Sequence, residues 1–468
     1  MLTEHSEIDR RKIREILNKK DVKIYFIGIG GVSTSAIAHS LLDRDIRVFG
    51  SDRERGPGTE SLVKRGAVIS VPHSPEFLRA SAPDLVVYTL AIDSENPEYL
   101  TAREMKIPSI SRAELLGVII DESRFSIGVS GSHGKSTVTA MIARIYEYSN
   151  TPATVFCGAD LGDRGGYKSG GDITVYEACE YRNSFLHFHP DISVMLNLEL
   201  DHTDFFRDLS ELRSSFASAA ALAGRAVLVS ADDENLQEIS VSGVPVLTFG
   251  KNERADYRYE IVAENAGKCS ISIYYKGNKL TECQLAIAGK FNAANAAAAI
   301  AATHIGGIDA SVASAALAGF EGIPRRLEKI AEGSKSALFY DYAHHPTEIK
   351  ATIGALRDMG YEHIGVIFSP HTYSRTAALW RGFSEALALA DECVITDIYA
   401  AREDPIPAVD SSRLAASVRG SGGNAVYRRA SFAAEYMLGR NVDAIVIMGA
   451  GDTERVRRDM LSLFYSDS

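Results

Sequence analysis

The run Gly128-Val-Ser-Gly131-Ser-His-Gly134-Lys135-Ser136-Thr137 constrains this chain more than any other segment. It stands between a strand-like stretch, Phe125-Ser-Ile127, and a helix-like one that begins at Val138. A strand, a glycine turn and a helix start, in that order, aim several backbone N–H groups at one point where an anion can sit. A lysine there adds a point charge, and the hydroxyl beside it can hold a magnesium ion. The run predicts a phosphate cradle for ATP made of Gly131, Ser132, His133, Gly134, Lys135, Ser136 and Thr137. It differs from the common phosphate-loop spelling, which has a glycine where this chain has Val129. The competing reading is a plain strand-to-helix turn with an idle lysine.

Around this run, β-like segment, glycine turn and helical segment alternate almost throughout, the signature of parallel sheets covered by helices. At 468 residues the chain is too long for one core, and ordinary domain sizes suggest about three. The expected class is α/β with three domains: 1–118 Rossmann-like, 119–322 a central ATP-binding domain with a mostly parallel sheet, and 323–468 Rossmann-like again. No apolar run is long enough to span a bilayer, and the start, Met-Leu-Thr-Glu-His-Ser-Glu, has no basic or apolar leader region, so a cytoplasmic protein without membrane insertion is expected. Five cysteines lie far apart with no C-x-x-C pair, which fits reduced thiols better than a disulfide framework or a zinc site. A net charge of -11 argues against nucleic acid as a partner and leaves room for small anionic ligands where glycines and arginines gather.

The first unit runs from the apolar segment beginning at Val22 through Gly28, Gly30 and Gly31 into a helix from Ser35 to Leu42. A strand from Ile46 to Gly50 follows and ends at Ser51-Asp52. Asp52 falls about twenty residues after the glycines, where a dinucleotide fold sets an acid against a ribose hydroxyl. Ser33 occupies the place of the third glycine, so a purely structural turn remains the alternative. The glycine-rich stretch from Gly158 to Gly171 reads as a mobile loop or a connector. In the central domain, one strand end delivers Glu177-Ala-Cys-Glu180 and another Asn197-Leu-Glu199-Leu-Asp201-His202. Carboxylates at strand ends opposite a phosphate cradle suit Mg²⁺, which takes oxygen ligands and needs only one or two of them beside phosphates; Mn²⁺ is the alternative ion. Solvated strand ends are the bland alternative.

Taken together, several blocks resemble the Mur ligases. They are Gly28-Ile-Gly-Gly31, Gly131-Ser-His-Gly-Lys-Ser136, Glu177-Ala-Cys-Glu-Tyr-Arg-Asn-Ser-Phe-Leu186, Asn197-Leu-Glu-Leu-Asp-His202, Phe320-Glu-Gly-Ile-Pro-Arg-Arg326, Asp341-Tyr-Ala-His-His-Pro-Thr-Glu348, Pro370-His-Thr-Tyr-Ser-Arg375 and Tyr399-Ala-Ala-Arg-Glu403. The resemblance covers nearly the whole chain and is strongest to the members that join L-alanine to UDP-N-acetylmuramate. It implies ATP-dependent amide formation through an acyl phosphate. Lys135 and the backbone of Gly131 to Ser136 would hold phosphates. Ser136, Glu177 and His202 would serve the metal, and Asn292 and Asn295 would face adenine. Arg326 and Asp341 would reach the nucleotide's phosphate and ribose, so that ATP lies between two domains. His344, His345, His371 and Arg375 match residues that line the place where the muramoyl carboxylate meets the amino acid. Gly28, Gly30, Gly31 and Asp52 would serve the UDP end. The general base is His202 or His344, unless these histidines only coordinate metal or orient substrate.

The chain departs from the family pattern at Ser33 and Thr34, where glycine and methionine are usual, at Phe291, where histidine is usual, and at Thr372, where many members have arginine. No lysine lies between Lys168 and Lys251, which disfavours the sibling ligases that bridge metals with a carbamylated lysine. The alternatives are a ligase that attaches a recycled murein peptide, a nicotinamide-dependent oxidoreductase suggested by the first glycine turn, and a non-catalytic nucleotide-binding relative. The assembly is expected to be a monomer or homodimer.

Overall fold

Lys23–Ile27 is the middle strand of a five-stranded parallel sheet, ordered Val68–Ser70, Arg47–Ser51, Lys23–Ile27, Leu85–Tyr88, Ser109–Ser111. The strand order reverses beside Lys23–Ile27, and a ligand crevice opens at such a switch point at the carboxyl edge of the sheet. The glycine turn Gly28 to Gly31 leaves the strand there. The computed structural model describes residues 8–466 apart from 203, 204, 402 and 452. The chain packs as two compact units: the chain up to Leu198 with Arg213–Phe249 and Ala298–Ala313, and Glu199–Leu212 with Gly250–Ala297 and the chain from Ser314 onward.

The first unit holds that sheet and the parallel part of a second, ordered Val246–Gly250, Ala226–Ser230, Ile192–Met195, Phe125–Ser130, Ile173–Glu177, Thr154–Phe156, with the short Tyr167–Lys168 antiparallel at the edge. Phe125–Ser130 and Ala226–Ser230 are buried at every position. Ala226–Ser230 is a nearly continuous apolar run, as strands covered on both faces tend to be, whereas Phe125–Ser130 alternates apolar residues with the small Ser126, Gly128 and Ser130 and is buried all the same. The helix Lys135–Tyr148 starts directly after the central strand.

In the second unit, Tyr257–Asn265, Lys268–Tyr275 and Asn278–Ala288 form an antiparallel meander. A six-stranded sheet follows, ordered Glu328–Glu332, Ala337–Asp341, Ala444–Met448, Ile364–Phe368, Glu392–Ile395, Ala425–Tyr427, parallel except for its first edge strand. Two apolar clusters cover its faces, one around Phe339, Ile349, Phe368 and Phe383, the other around Tyr340, Ile367, Met437 and Met460. The α/β class with mostly parallel sheets agrees with the sequence expectation. Among the described residues no helix is long and apolar enough to cross a membrane.

Two local expectations change. The first helix past the glycine turn runs Val32–Leu42 with Gly31 as its N-cap, three residues earlier than expected, so Ser33 sits in its first turn and Thr34 is buried. The stretch from Gly158 to Gly171 is held in place rather than loose. Asp43, at the end of that helix, accepts from Arg164 at 2.9 Å and from the Tyr167 hydroxyl at 2.8 Å, and the Tyr167 ring stacks on His39. Its glycines permit close backbone passage: a Cβ on Gly166 would lie 1.9 Å from the Cys157 carbonyl oxygen, and one on Gly170 2.2 Å from the Ala153 carbonyl carbon.

Candidate functional site

The cradle is shaped by two glycines in the left half of the backbone map, Gly131 at φ +137° and Gly134 at φ +84°. Gly134 is the N-cap of the helix Lys135–Tyr148 and offers no side-chain cap, the arrangement in which the first helical N–H groups can face an anion. A Cβ on Gly131 would meet Leu196 at 3.0 Å and the Asn197 backbone at 3.2 Å. Asn197 in turn grips the turn: its Oδ1 accepts from the His133 backbone at 2.8 Å and its Nδ2 donates to the His133 carbonyl at 3.1 Å. The neighbouring strand end therefore holds the cradle open as a fixed shape.

Lys135 donates from Nζ to the Gly131 carbonyl at 2.5 Å and to both oxygens of Glu180 at 3.1 Å. Burial works against its charge, but the carboxylate of Glu180, helped by Cys179 and Glu177, more than offsets this and raises the lysine above its ordinary range. It is a cation at any working pH. Ser136 is buried next to it. Glu177 ends the adjacent strand, and its Oε1 accepts from the Gly158 backbone and from Cys157 Sγ, the latter at 3.0 Å.

At the first glycine turn, Gly28 has φ +81°, and a Cβ there would lie 2.7 Å from Thr89. Its N–H and that of Ile29 both donate to the Ser51 carbonyl. Asp52 accepts from Gly30 N at 2.7 Å through Oδ2, so its carboxylate clasps the turn itself. Gly31 begins the helix.

The second unit gathers the other polar cluster. Arg375, in the first turn of the helix Tyr373–Ala378, donates to Asp201 Oδ1 from Nε at 3.1 Å and Nη2 at 2.8 Å, and its Nη1 lies 3.1 Å from His371 Nδ1. Because the guanidinium has only donors, His371 Nδ1 is an acceptor and its proton is on Nε2. His344 has the opposite arrangement. Its Nδ1 lies 2.9 Å from the Tyr342 carbonyl and 3.3 Å from Glu348 Oε2, both acceptors, so the proton is on Nδ1 and Nε2 keeps the lone pair. Burial holds both rings well below the usual histidine range, each to about 4, with the Arg375 charge adding to the effect. Both are neutral near pH 7. Asp201 is depressed in spite of its burial by His202, Arg375 and His344. His345 caps the helix Pro346–Asp358 and lies 3.4 Å from Glu199, which also accepts from Thr347 at 2.7 Å.

Asp341 closes its strand at 5 % exposure, accepting from Thr352 at 2.7 Å and from Ala343 N at 3.1 Å. Burial pushes its carboxyl up to about 6. Arg326 lies over the Tyr342 ring at 5.0 Å and 3.8 Å from Glu348. Asn295 donates to Asn292 at 3.0 Å, and Asn292 donates back to Ala288 at 2.6 Å. Phe291, before them, is an exposed ring packed over Gly289.

Of the residues singled out in the sequence, Gly28, Gly30, Gly31, Asp52, Gly131 to Thr137 and Glu177 belong to the first unit. His202, Asn292, Asn295, Arg326, Asp341, His344, His345, His371 and Arg375 belong to the second. Arg402, within the quoted Tyr399 to Glu403 block, lies outside the described residues. Sequence reasoning did not foresee the pairings that hold these groups: Glu180, in a strand end read as supplying magnesium ligands, is on Lys135, Asn197 on His133, Asp201, in the other such strand end, on Arg375, and Glu348 on His344. All four stand in the quoted blocks, which was the available signal, but they are 45, 64 and 174 residues from their partners in the first three cases.

Comparison with known proteins agrees with this arrangement. Residues 23–124 match the Mur ligase family catalytic domain, 129–303 the Mur ligase middle domain and 325–451 the Mur ligase glutamate ligase domain. A UDP-N-acetylmuramate–L-alanine ligase of Caldanaerobacter subterraneus subsp. tengcongensis is 38% identical over 457 residues, 96% of this chain and 99% of that protein. One of Alkaliphilus metalliredigens is 39% identical over 84% of this chain and 86% of its own length. Among solved structures, a UDP-N-acetylmuramate–alanine ligase from Thermotoga maritima superimposes with a TM-score of 0.82 at 28% identity, covering 95% of this chain and all of its own. A murein peptide ligase from Psychrobacter arcticus shares the fold, with a TM-score of 0.70 at 22% identity over 95% of this chain and 98% of its own. The chain belongs to the Mur ligase family.

Proposed function

We propose that this protein is an ATP-dependent ligase that joins L-alanine to the lactyl carboxylate of UDP-N-acetylmuramate, a step of peptidoglycan precursor synthesis in the cytoplasm. The observation that carries this is the 38% identity over 96% of the chain to a relative named for that ligation. The cradle around Lys135 and the paired histidines of the second unit support it. The domain limits we assign are 1–118 for the UDP-substrate, 119–322 for ATP and 323–468 for the amino acid and part of ATP.

A carboxylate is a poor acyl donor because oxide would have to leave. ATP, when bound, supplies the phosphoryl group that turns it into an acyl phosphate. The chain's part in that step is charge neutralisation and placement. The residues present fit these ligands: the glycine-shaped turn leads into a helix N-terminus without a side-chain cap, Lys135 is a permanent cation, and the Ser136 hydroxyl and Glu177 carboxylate are the oxygen donors Mg²⁺ takes; the family resemblance assigns His202 to the metal as well. Asn292 and Asn295 serve adenine, and Arg326 the phosphates. Asp341, reading the ribose in this proposal, also braces the loop that carries His344 and His345. Gly28, Gly30 and Gly31 serve the diphosphate of the UDP end, with Asp52 setting the turn's shape.

Amide formation needs the alanine amine in its neutral form. His344 is the base in this reading, because it is neutral and its Nδ1 proton is already engaged, which leaves Nε2 as the lone pair. His371 has the reverse tautomer and acts as a donor next to Arg375, the pair that receives carboxylate oxygens. The test is phosphate release with ATP, Mg²⁺ and UDP-N-acetylmuramate, each small L-amino acid being offered in turn. Turnover with L-alanine that is lost in Lys135→Ala is expected. Turnover with a murein peptide and none with any amino acid would replace this reading with the recycling ligase.

A further inference from the structure

Glu348 sits at the third position of the helix Pro346–Asp358, where a glutamate ordinarily accepts from the N-cap backbone in a capping box. It makes that bond, from His345 N at 3.2 Å. A cap requires nothing more, yet the same Oε2 accepts from His344 N at 2.9 Å and lies 3.3 Å from His344 Nδ1, while Oε1 lies 3.8 Å from Arg326 Nη1. The carboxylate is 14% exposed. One anion thus faces the arginine assigned to the nucleotide phosphates and the imidazole assigned to the amine.

We propose that Glu348 is a positioning residue that ties Arg326 to His344 and holds the His344 imidazole with its proton on Nδ1 and its lone pair on Nε2. This rests on the ligase reading above. The Tyr342 carbonyl, 2.9 Å from Nδ1, shares that proton, and the Tyr342 ring lies edge-on to His344 and beneath Arg326. Tyr342 therefore sets the ring's place and Glu348 supplies the negative charge behind it. Such a carboxylate fixes the tautomer of a histidine base and stabilises the imidazolium formed when it takes a proton. The charges facing His344 from other elements are Arg375, which opposes its protonation, and Asp201, which favours it together with Glu348.

Glu348→Gln separates the cap from the positioning role, since glutamine serves a capping box as glutamate does but carries no charge. Its thermal midpoint is expected to match the parent. Its kcat for alanine ligation is expected to fall by about 10–100-fold, the order found when the partner behind a metal-bound histidine is lost, with the KM for UDP-N-acetylmuramate unchanged. In ¹⁵N-histidine spectra of the full chain, with His344 identified by its loss in His344→Asn, the His344 nitrogens are expected to move from the Nδ1–H pattern toward a mixture of tautomers. Parent-like kcat with unmoved His344 nitrogens would reduce Glu348 to a cap and overturn the proposal. Should the parent show no ligation, the nitrogen shifts alone decide: moved shifts uphold the positioning of His344 even as the ligase reading falls, and unmoved shifts refute it. Glu348→Ala, which removes cap and charge together, is expected to lose stability as well.

Discussion

The Arg375 guanidinium donates twice to a single oxygen of Asp201, from Nε at 3.1 Å and from Nη2 at 2.8 Å, in a pair whose side chains are 12% and 8% exposed. Removing one member of such a buried pair leaves the other's charge desolvated, typically at a cost of about 3–5 kcal/mol. Asp201→Asn should therefore lower the unfolding free energy by an amount of that order, and Asp201→Asn with Arg375→Met should recover most of it. Denaturant titration of the four proteins in the cycle would show it; additive single effects would mean the two side chains are not coupled.

Lys135 and Glu180 permit the same separation of folding from function. Lys135→Ala strips the buried Glu180 carboxylate, 2% exposed, of this counter-charge, and a loss of about 3 kcal/mol is expected. Lys135→Met with Glu180→Gln should regain most of the stability while phosphate release stays at background. If the double variant turned over, Lys135 would have no part in handling phosphate.

Asp341 has a folded-state carboxyl raised by burial to about 6. The folded chain therefore holds a proton that the unfolded chain has released between about pH 4 and 6, so this group's stabilisation is present at low pH and is lost as pH rises through 6. Asp341→Asn can still accept from Ala343 N and reach the Thr352 hydroxyl. It should be more stable than the parent at pH 8 by up to about 3 kcal/mol, the gap closing below pH 4. Urea titrations across that range measure it, and a gap independent of pH would point to a different cause.

His344 and His371 give the opposite slope. Both are lowered to about 4, so between about pH 6.5 and 4 the unfolded chain takes up protons that the folded chain refuses, and stability is lost as pH falls through that window. Replacing both with asparagine should flatten the parent's decline by about 2–3 kcal/mol per ring. The comparison of parent and variant unfolding at pH 7 and pH 5 isolates this contribution from that of Asp341.

Asp43 pins the glycine-rich stretch from Gly158 to Gly171 through Arg164 and Tyr167. Asp43→Ala should release it, raising amide exchange there by about tenfold, equivalent to ~1.4 kcal/mol of local stability, with little change in the strand Phe125–Ser130. Unaltered exchange would show that backbone packing alone holds the segment.

The strand expected from Ile46 to Gly50 was legible to within one residue, forming at Arg47–Ser51 around the apolar Val48 and Phe49. The glycine turn before the helix Lys135–Tyr148 was equally legible: its glycines, lysine and hydroxyl lie within ten residues, and the positive φ of Gly131 and Gly134 is a local backbone demand, although Asn197 completes its shape from a distance. The start of the first glycine-turn helix was not, since Val32, Ser33 and Thr34 have modest helix propensity and only packing on the sheet recruits them. Nor was the fixed course of the segment from Gly158 to Gly171, whose composition suggests freedom while Asp43, more than a hundred residues earlier in the chain, removes it.

The sequence by itself thus determined the fold class, the glycine turns and the residue types at the strand ends, because each rests on local periodicity and turn chemistry. Only the tertiary structure decided which acid faces which base: Glu180 on Lys135, Asp201 on Arg375, Glu348 between Arg326 and His344. Those pairings set the charge of the lysine and the nitrogen on which His344 carries its proton, while burial keeps His344 and His371 neutral. Protonation and tautomer depend on desolvation and on the nearest partners in space, and neither is a local property of the chain.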